Sequence, residues 1–224
     1  TVEVEQLQQA LTQAQRGQGS LILMGGESGV GKSRLIEELR TMALVAGFQV
    51  FRGQTASDGQ SPLEELAQLV RPLCITLEVD SEVASVLQDL IPDLGTLLQR
   101  SIPPAEVLDS QAAQQRLLST IAGVLRQIKS PSLVLLEDAQ WAASETLDLL
   151  RTLQQPLTAL PLLVVVSYRD DECPDLPRRL PEAQLLPVLR LEDAAVAELA
   201  TAILGPSGAQ PDLLLAFGDV RFFA

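Results

Sequence analysis

Eight residues near the amino end have the types and spacing to cradle a phosphate. Gly26-Glu27-Ser28-Gly29-Val30-Gly31-Lys32-Ser33 match the pattern GxxxxGK[ST] in full. Glycines let successive backbone N–H groups turn inward around an anion, a conformation that a Cβ would obstruct. A helix starting at Lys32 would aim its unpaired N–H groups and the positive end of its dipole at the same point. Lys32 would place a mobile charge on the β- and γ-phosphates of a nucleotide, and Ser33 would offer its hydroxyl to Mg²⁺. The expected nucleotide-binding stretch runs from Gly26 through Ser33, with Arg34 beside it.

A site of this kind also needs a carboxylate near the metal. Ser132-Leu133-Val134-Leu135-Leu136 is a continuous apolar run that ends in Glu137 and Asp138. In an open α/β fold those acids would stand at the carboxyl edge of the sheet, where ligands bind. Glu137 would hold Mg²⁺ through water, since Mg²⁺ keeps most of its hydration shell. Asp138 would orient or deprotonate an attacking water. On sequence grounds the two acids can exchange these roles. A third run, Leu162 to Ser167, leads into Tyr168-Arg169-Asp170-Asp171-Glu172. Arg169 there either touches a γ-phosphate or pairs with Asp170 or Asp171 on the surface. Trp141 is expected to be a packing residue, as most tryptophans are.

These residues need strands and helices to hold them. Ser20 to Met24, Ser132 to Leu136 and Leu162 to Ser167 are too short for helices and apolar throughout, as strands buried on both faces are. Gln49 to Arg52 reads as another strand, and Gln184 to Leu191 as a further one. Between them lie helical patterns over residues 2–16, Lys32 to Val45, Ser61 to Leu73, Ser110 to Lys129, Thr146 to Leu153 and Glu192 to Leu204. Residues 75–109, with prolines at 92, 103 and 104, suit short helices joined by loops. Buried strands alternating with helices specify a parallel sheet between two helix layers.

Composition excludes several classes. The 224 residues include no histidine, which removes Ser-His-Asp and Cys-His triads and every histidine metal site. A net charge of −13 argues against a whole-molecule electrostatic grip on DNA or anionic lipid. Cys74 and Cys173 are far apart and read as reduced thiols of a cytoplasmic protein. No apolar run reaches the ~18–20 residues needed to span a bilayer.

Taken in order, GESGVGKSRL, LVLLEDAQWA and LLVVVSYRDDE resemble the AAA-like P-loop ATPase module of the STAND class. Such modules occur in large multidomain bacterial signalling regulators, beside kinase, cyclase or LuxR-type domains. The resemblance implies an ASCE-type P-loop NTPase, a three-layer α/β/α sandwich with a mostly parallel central sheet. In such a sheet the sensor strand lies between the P-loop strand and the acidic strand. It makes Gly26, Gly31, Lys32 and Ser33 the Walker A residues, Glu137 and Asp138 Walker B, and Arg169 the sensor arginine. ATP or ADP with Mg²⁺ would be the cofactor. Lys32, Glu137, Asp138 and Arg169 would form the catalytic set, and Ser33 and Glu137 would face the metal. The chain departs from the family in three places. Gln140 stands where histidine is common, Ala143 where aspartate is common, and Gly218 to Phe223 lacks the usual proline.

The resemblance implies a nucleotide-dependent switch with slow hydrolysis, with the other domains of a longer chain as partners and self-association on ATP binding. Neither nucleic acid nor a membrane is an expected partner. The ATPase domain is expected over residues 1–204, with residues 205–224 opening a following, truncated helical segment. A phosphotransferase using the same loop, or a nucleotide-binding scaffold without turnover, are the alternatives. The absence of an NKxD-type motif favours ATP over GTP.

Overall fold

Strands that are apolar on both faces must lie between two covering layers. A computed structural model, which describes residues 2–54 and 64–190, places them there. The five strands are β1 (Ser20–Gly25), β2 (Gln49–Gln54), β3 (Ser132–Glu137), β4 (Leu162–Tyr168) and β5 (Gln184–Pro187). The helices are α1 (Val2–Gln15), α2 (Lys32–Val45), α3 (Glu64–Thr76), α4 (Ser81–Leu87), α5 (Leu94–Leu97), α6 (Ser110–Leu125), α7 (Ser144–Leu157) and α8 (Leu176–Arg179). The strands form one sheet in the order β2-β3-β4-β1-β5, and every pairing is parallel. This is the α/β P-loop NTPase arrangement expected from the sequence, with β4 between the loop strand and the acidic strand.

Alternate residues of each central strand serve opposite layers. Leu21, Leu23, Val134, Leu136, Val164 and Val166 face a core with Leu69, Leu73, Ile121, Leu125 and Leu150 from α3, α6 and α7. Ile22, Met24, Leu133, Leu135, Leu163 and Val165 face the other core, with Leu7 and Leu11 of α1 and Ile36 and Leu39 of α2. Burial of β3 and β4 is complete along their length. Register aligns the carboxyl ends. Leu136 lies opposite Val166, and Val166 lies opposite Leu23. The residues that follow each strand therefore leave the sheet at one edge.

Element limits depart from the sequence expectation in ways that local chemistry explains. Helix α6 ends at Leu125 rather than Lys129. Gln127 and Ile128 bond three residues back, to Val124 and Leu125, as the chain tightens ahead of Pro131. Asp109 caps the other end by accepting from the Ala112 N–H. Helix α7 starts before Thr146 and runs past Leu153, with Pro156 in its last turn. Strand β5 stops at Pro187, the partner of Gly25, and the Val188 N–H closes that ladder on the Gly25 carbonyl at 2.7 Å. Residues 75–109 do form short helices, α4 and α5. The start of the Ser61 helix, the Glu192 helix, the break at Gly205 and the Gly218–Phe223 segment lie outside the described residues. Cys74 is buried, which pushes its thiol up to about 11; both it and Cys173 are free.

Glu65 is a charge-bearing group inside this core. It is 6% exposed, accepts from the Thr146 hydroxyl and the Ala143 backbone, and its Oε2 has no hydrogen-bond partner among the described residues. Burial raises its pKa above the ordinary 4.5. A raised pKa favours the protonated, folded form. That contribution is complete below the ordinary value and is lost as pH rises through the folded value. Glu65→Gln is therefore expected to raise the melting temperature at about pH 7.5 and to leave it nearly unchanged at about pH 4. Parallel thermal melts at the two pH values check this, and an equal effect at both would contradict it.

Candidate functional site

The loop after β1 owes its course to two glycine positions. A Cβ on Gly26 would lie 2.4 Å from the Val188 carbonyl oxygen, so only glycine lets the chain after β5 close over the loop's first residue. Gly31, just ahead of α2, has φ 102°, a left-handed conformation that a side chain would strain. Between them Glu27, Ser28 and Gly29 are exposed, and Val30 is half-buried against the α1–α2 core. The loop then enters α2, whose first-turn N–H groups have no partner within the helix.

Lys32 folds back into this curve. Its Nζ donates to the carbonyls of Gly26 at 2.6 Å and Glu27 at 2.7 Å. Burial lowers its pKa, and the positive charge of Arg169 adds to that. Asp170, Asp171 and Asp138 oppose it. The side chains expected to form the site thus act on one another electrostatically from three separate strand ends. Ser33 and Arg34 stand exposed in the first turn of α2. The Glu27 carboxylate accepts both Nε and Nη2 of Arg190, which ties the loop to the chain beyond β5.

Glu137 closes β3 and is 6% exposed. Its Oε1 accepts from Arg52 Nε at 2.5 Å, and Arg52 Nη1 reaches Glu37 of α2 at 2.9 Å. Asp138 takes a left-handed conformation, φ 59°, which turns the chain off the strand. Gln54 donates to its Oδ2 at 3.2 Å and Gln140 to its Oδ1 at 3.3 Å. The Gln140 amide oxygen accepts the Arg169 N–H at 3.1 Å. One glutamine side chain therefore joins the acidic strand to the arginine strand.

Arg169 makes neither of the surface pairs expected for it. Its Nη1 donates to Glu172 at 2.5 Å, and its guanidinium lies 5.4 Å from the centroid of the Trp141 ring. Trp141 is correspondingly 41% exposed and is no core residue, contrary to the packing role expected from its type. Its place in a short 3-10 turn over Ala139–Trp141 sends the ring outward. Sequence reasoning also missed Arg52 and Gln54, which precede their acidic partners by 85 and 84 residues. Their spacing of two puts both on one face of β2, which was the available signal.

The donor set suits a magnesium nucleotide better than a resident metal. Among the described residues no group of three or more His, Cys, Asp or Glu side chains could hold a metal ion. Mg²⁺ in such sites is held by one or two protein groups together with phosphate oxygens and water. Ser33 and Glu137 would supply those groups. The exposed backbone from Glu27 to Gly29 and the amino end of α2 would receive the phosphates. Among the described residues no helix is long and apolar enough to cross a membrane.

A family model described as the AAA ATPase domain matches residues 1–165. An uncharacterized protein of Rhizobium meliloti (strain 1021) is 27% identical over 173 residues, covering 68% of this chain and 16% of that protein. The chain thus spans a small part of the curated relative that it matches. Among solved structures, Drosophila ORC bound to DNA is similar with a TM-score of 0.59 and 16% identity, over 99% of this chain and 50% of that one. Cdc6p from Pyrobaculum aerophilum gives 0.54 and 15%, over 96% and 53%. At such identities the likeness is one of fold.

The loop geometry sets a stability test with an internal control. Gly31→Ala forces a Cβ into a left-handed conformation and is expected to cost about 1–3 kcal/mol. Gly123, inside α6, has open space at its Cβ position, so Gly123→Ala is expected to stabilise by roughly 0.5–1 kcal/mol. Urea unfolding of both variants at 25 °C checks the pair, and a neutral Gly31→Ala would contradict the loop conformation.

Proposed function

We propose, from the premise that the chain belongs to the AAA ATPase domain family, that this nucleotide-binding ATPase module works as a slow switch within a longer regulatory protein. The observation that carries the reading is the shared edge. The phosphate loop, the acidic pair and Arg169 leave three adjacent buried strands at the same end of the sheet. The STAND-like order of GESGVGKSRL, LVLLEDAQWA and LLVVVSYRDDE supports the regulatory assignment.

On this reading each residue has a physical task. The backbone of Gly26 to Gly31 and the first turn of α2 receive the β- and γ-phosphates, and Lys32 transfers its charge from the Gly26 and Glu27 carbonyls to phosphate oxygens. Ser33 and Glu137 hold the metal side of the nucleotide. Bound there with ATP, Mg²⁺ would supply positive charge to the phosphate oxygens. Asp138 has each carboxylate oxygen held by a glutamine amide, which fixes the direction in which it can orient a water. Arg169 senses the γ-phosphate. Self-association on ATP binding, control by other domains of the same chain and a cytoplasmic setting belong to the same proposal. The net charge of −13 argues against a direct role on DNA.

Two substitutions test it. Lys32→Ala is expected to weaken Mg–ATP binding at least tenfold, about 1.4 kcal/mol, as read by calorimetry. Asp138→Asn is expected to keep the nucleotide and to slow phosphate release at least about tenfold, because an oriented water stabilises the transition state more than the ground state. Wild-type turnover is expected well below the ~1–100 s⁻¹ typical of kinases. Unchanged ATP affinity in Lys32→Ala would overturn the site, and unchanged turnover in Asp138→Asn would remove that residue from the chemistry. Turnover of several per second by the isolated chain would favour the phosphotransferase reading.

A further inference from the structure

Arg169 is held at two points with different chemistry. Its backbone N–H is fixed to Gln140 Oε1 at 3.1 Å, and that same amide donates to Asp138. Its guanidinium, by contrast, rests on the face of the exposed Trp141 ring and on Glu172. The first contact is half-buried and anchored to the sheet edge. The second and third lie among side chains that are about a third exposed or more, where cation–π contacts and ion pairs are weak. The backbone of Arg169 is therefore a pivot, and its charged end is lightly parked.

We infer that Gln140 and Trp141 are the positioning residues of Arg169: Gln140 fixes its backbone relative to Asp138, and Trp141 holds its guanidinium until a γ-phosphate takes it. The inference rests on the nucleotide-binding reading above and extends it to two residues that lie outside the phosphate loop and the acidic pair. Tyr168 pairs with Gly25, so Arg169 and the loop leave adjacent strands at the same level of the sheet edge, and a phosphate at the loop falls within the field of that guanidinium. A triphosphate presents the charge that competes with the ring and with Glu172, and a diphosphate lacks the terminal group. Departure of the guanidinium uncovers the Trp141 ring. Trp141 is the only tryptophan in the chain, so its emission reports this event without interference.

The test uses the whole chain with Mg²⁺ and either ADP or the non-hydrolysable analogue adenylyl-imidodiphosphate. Calorimetry first establishes that each nucleotide binds, and tryptophan emission is then followed at saturation. The expected result is an emission change with the triphosphate analogue, little change with ADP, and loss of the difference in Arg169→Gln. Trp141→Leu is expected to favour the analogue over ADP by about two- to five-fold more than wild type, because the competing platform is gone. Trp141→Phe is expected to restore most of the wild-type ratio. Gln140→Leu is expected to lower turnover while leaving ADP affinity within about twofold. Identical emission with both nucleotides, or equal loss of affinity for both in Trp141→Leu, would overturn the inference while leaving nucleotide binding intact. Failure of both nucleotides to bind the wild-type chain would overturn the underlying reading and this inference with it.

Discussion

The backbone between residues 26 and 33 can point its N–H groups at one place only if Gly29 and Gly31 take left-handed conformations, φ 81° and 102°. That constraint governs how much else must be arranged. A strand has to deliver the chain to the turn, and a helix has to begin immediately after it. Strand β1 is fixed by pairing on both sides, with β4 and β5. Helix α2 is fixed by Leu35, Ile36 and Leu39 in the core that it shares with α1. The contact of Gly26 with the Val188 carbonyl then sets the distance between the loop and the chain that follows β5. A loop so held would meet an anion with little further ordering, which is where preorganised sites gain their advantage.

The polar contacts at the sheet edge link elements that the loop alone does not reach. Arg52 bridges Glu137 on β3 and Glu37 on α2. As an ion pair between half-exposed groups, the Glu37 contact contributes little stability. Its consequence is geometric: the helix behind the phosphate loop and the acidic strand share one guanidinium. Gln54 and Gln140 do the same for Asp138 from β2 and from the turn after β3. A left-handed aspartate at the end of a strand is a sparsely populated conformation, and the surrounding bonds hold it in place. The four strands β2, β3, β4 and β1 thus each contribute one end to a continuous polar edge.

The buried strands were legible in the sequence because parallel strands are apolar on both faces. SLILM, SLVLL and LLVVVS have no periodicity to misread and are too short to be helices. The loop was legible because the pattern GxxxxGK[ST] fixes four residue types at set spacing. Strand β2 was harder: QVFRGQ is only partly buried, and the meaning of Arg52 and Gln54 lies in partners more than 80 residues away. Trp141 departs from its expected packing role for a related reason. Residue type favours burial, but the 3-10 turn that follows Asp138 aims the ring at Arg169 instead. Helix α6 stops short of its apolar pattern because the chain tightens ahead of Pro131.

The proposed function rests on a magnesium nucleotide seated at one sheet edge, built from the loop and its two neighbouring strand ends. Amide-resolved NMR of the ¹⁵N-labelled chain during a titration with Mg–ATP tests it most directly. The largest shifts are expected at the amides of Gly26 to Ser33, with a second group at Asp138 to Trp141 and at Arg169. Saturable shifts confined to another region, with the amides of Gly26 to Ser33 unmoved, would contradict it.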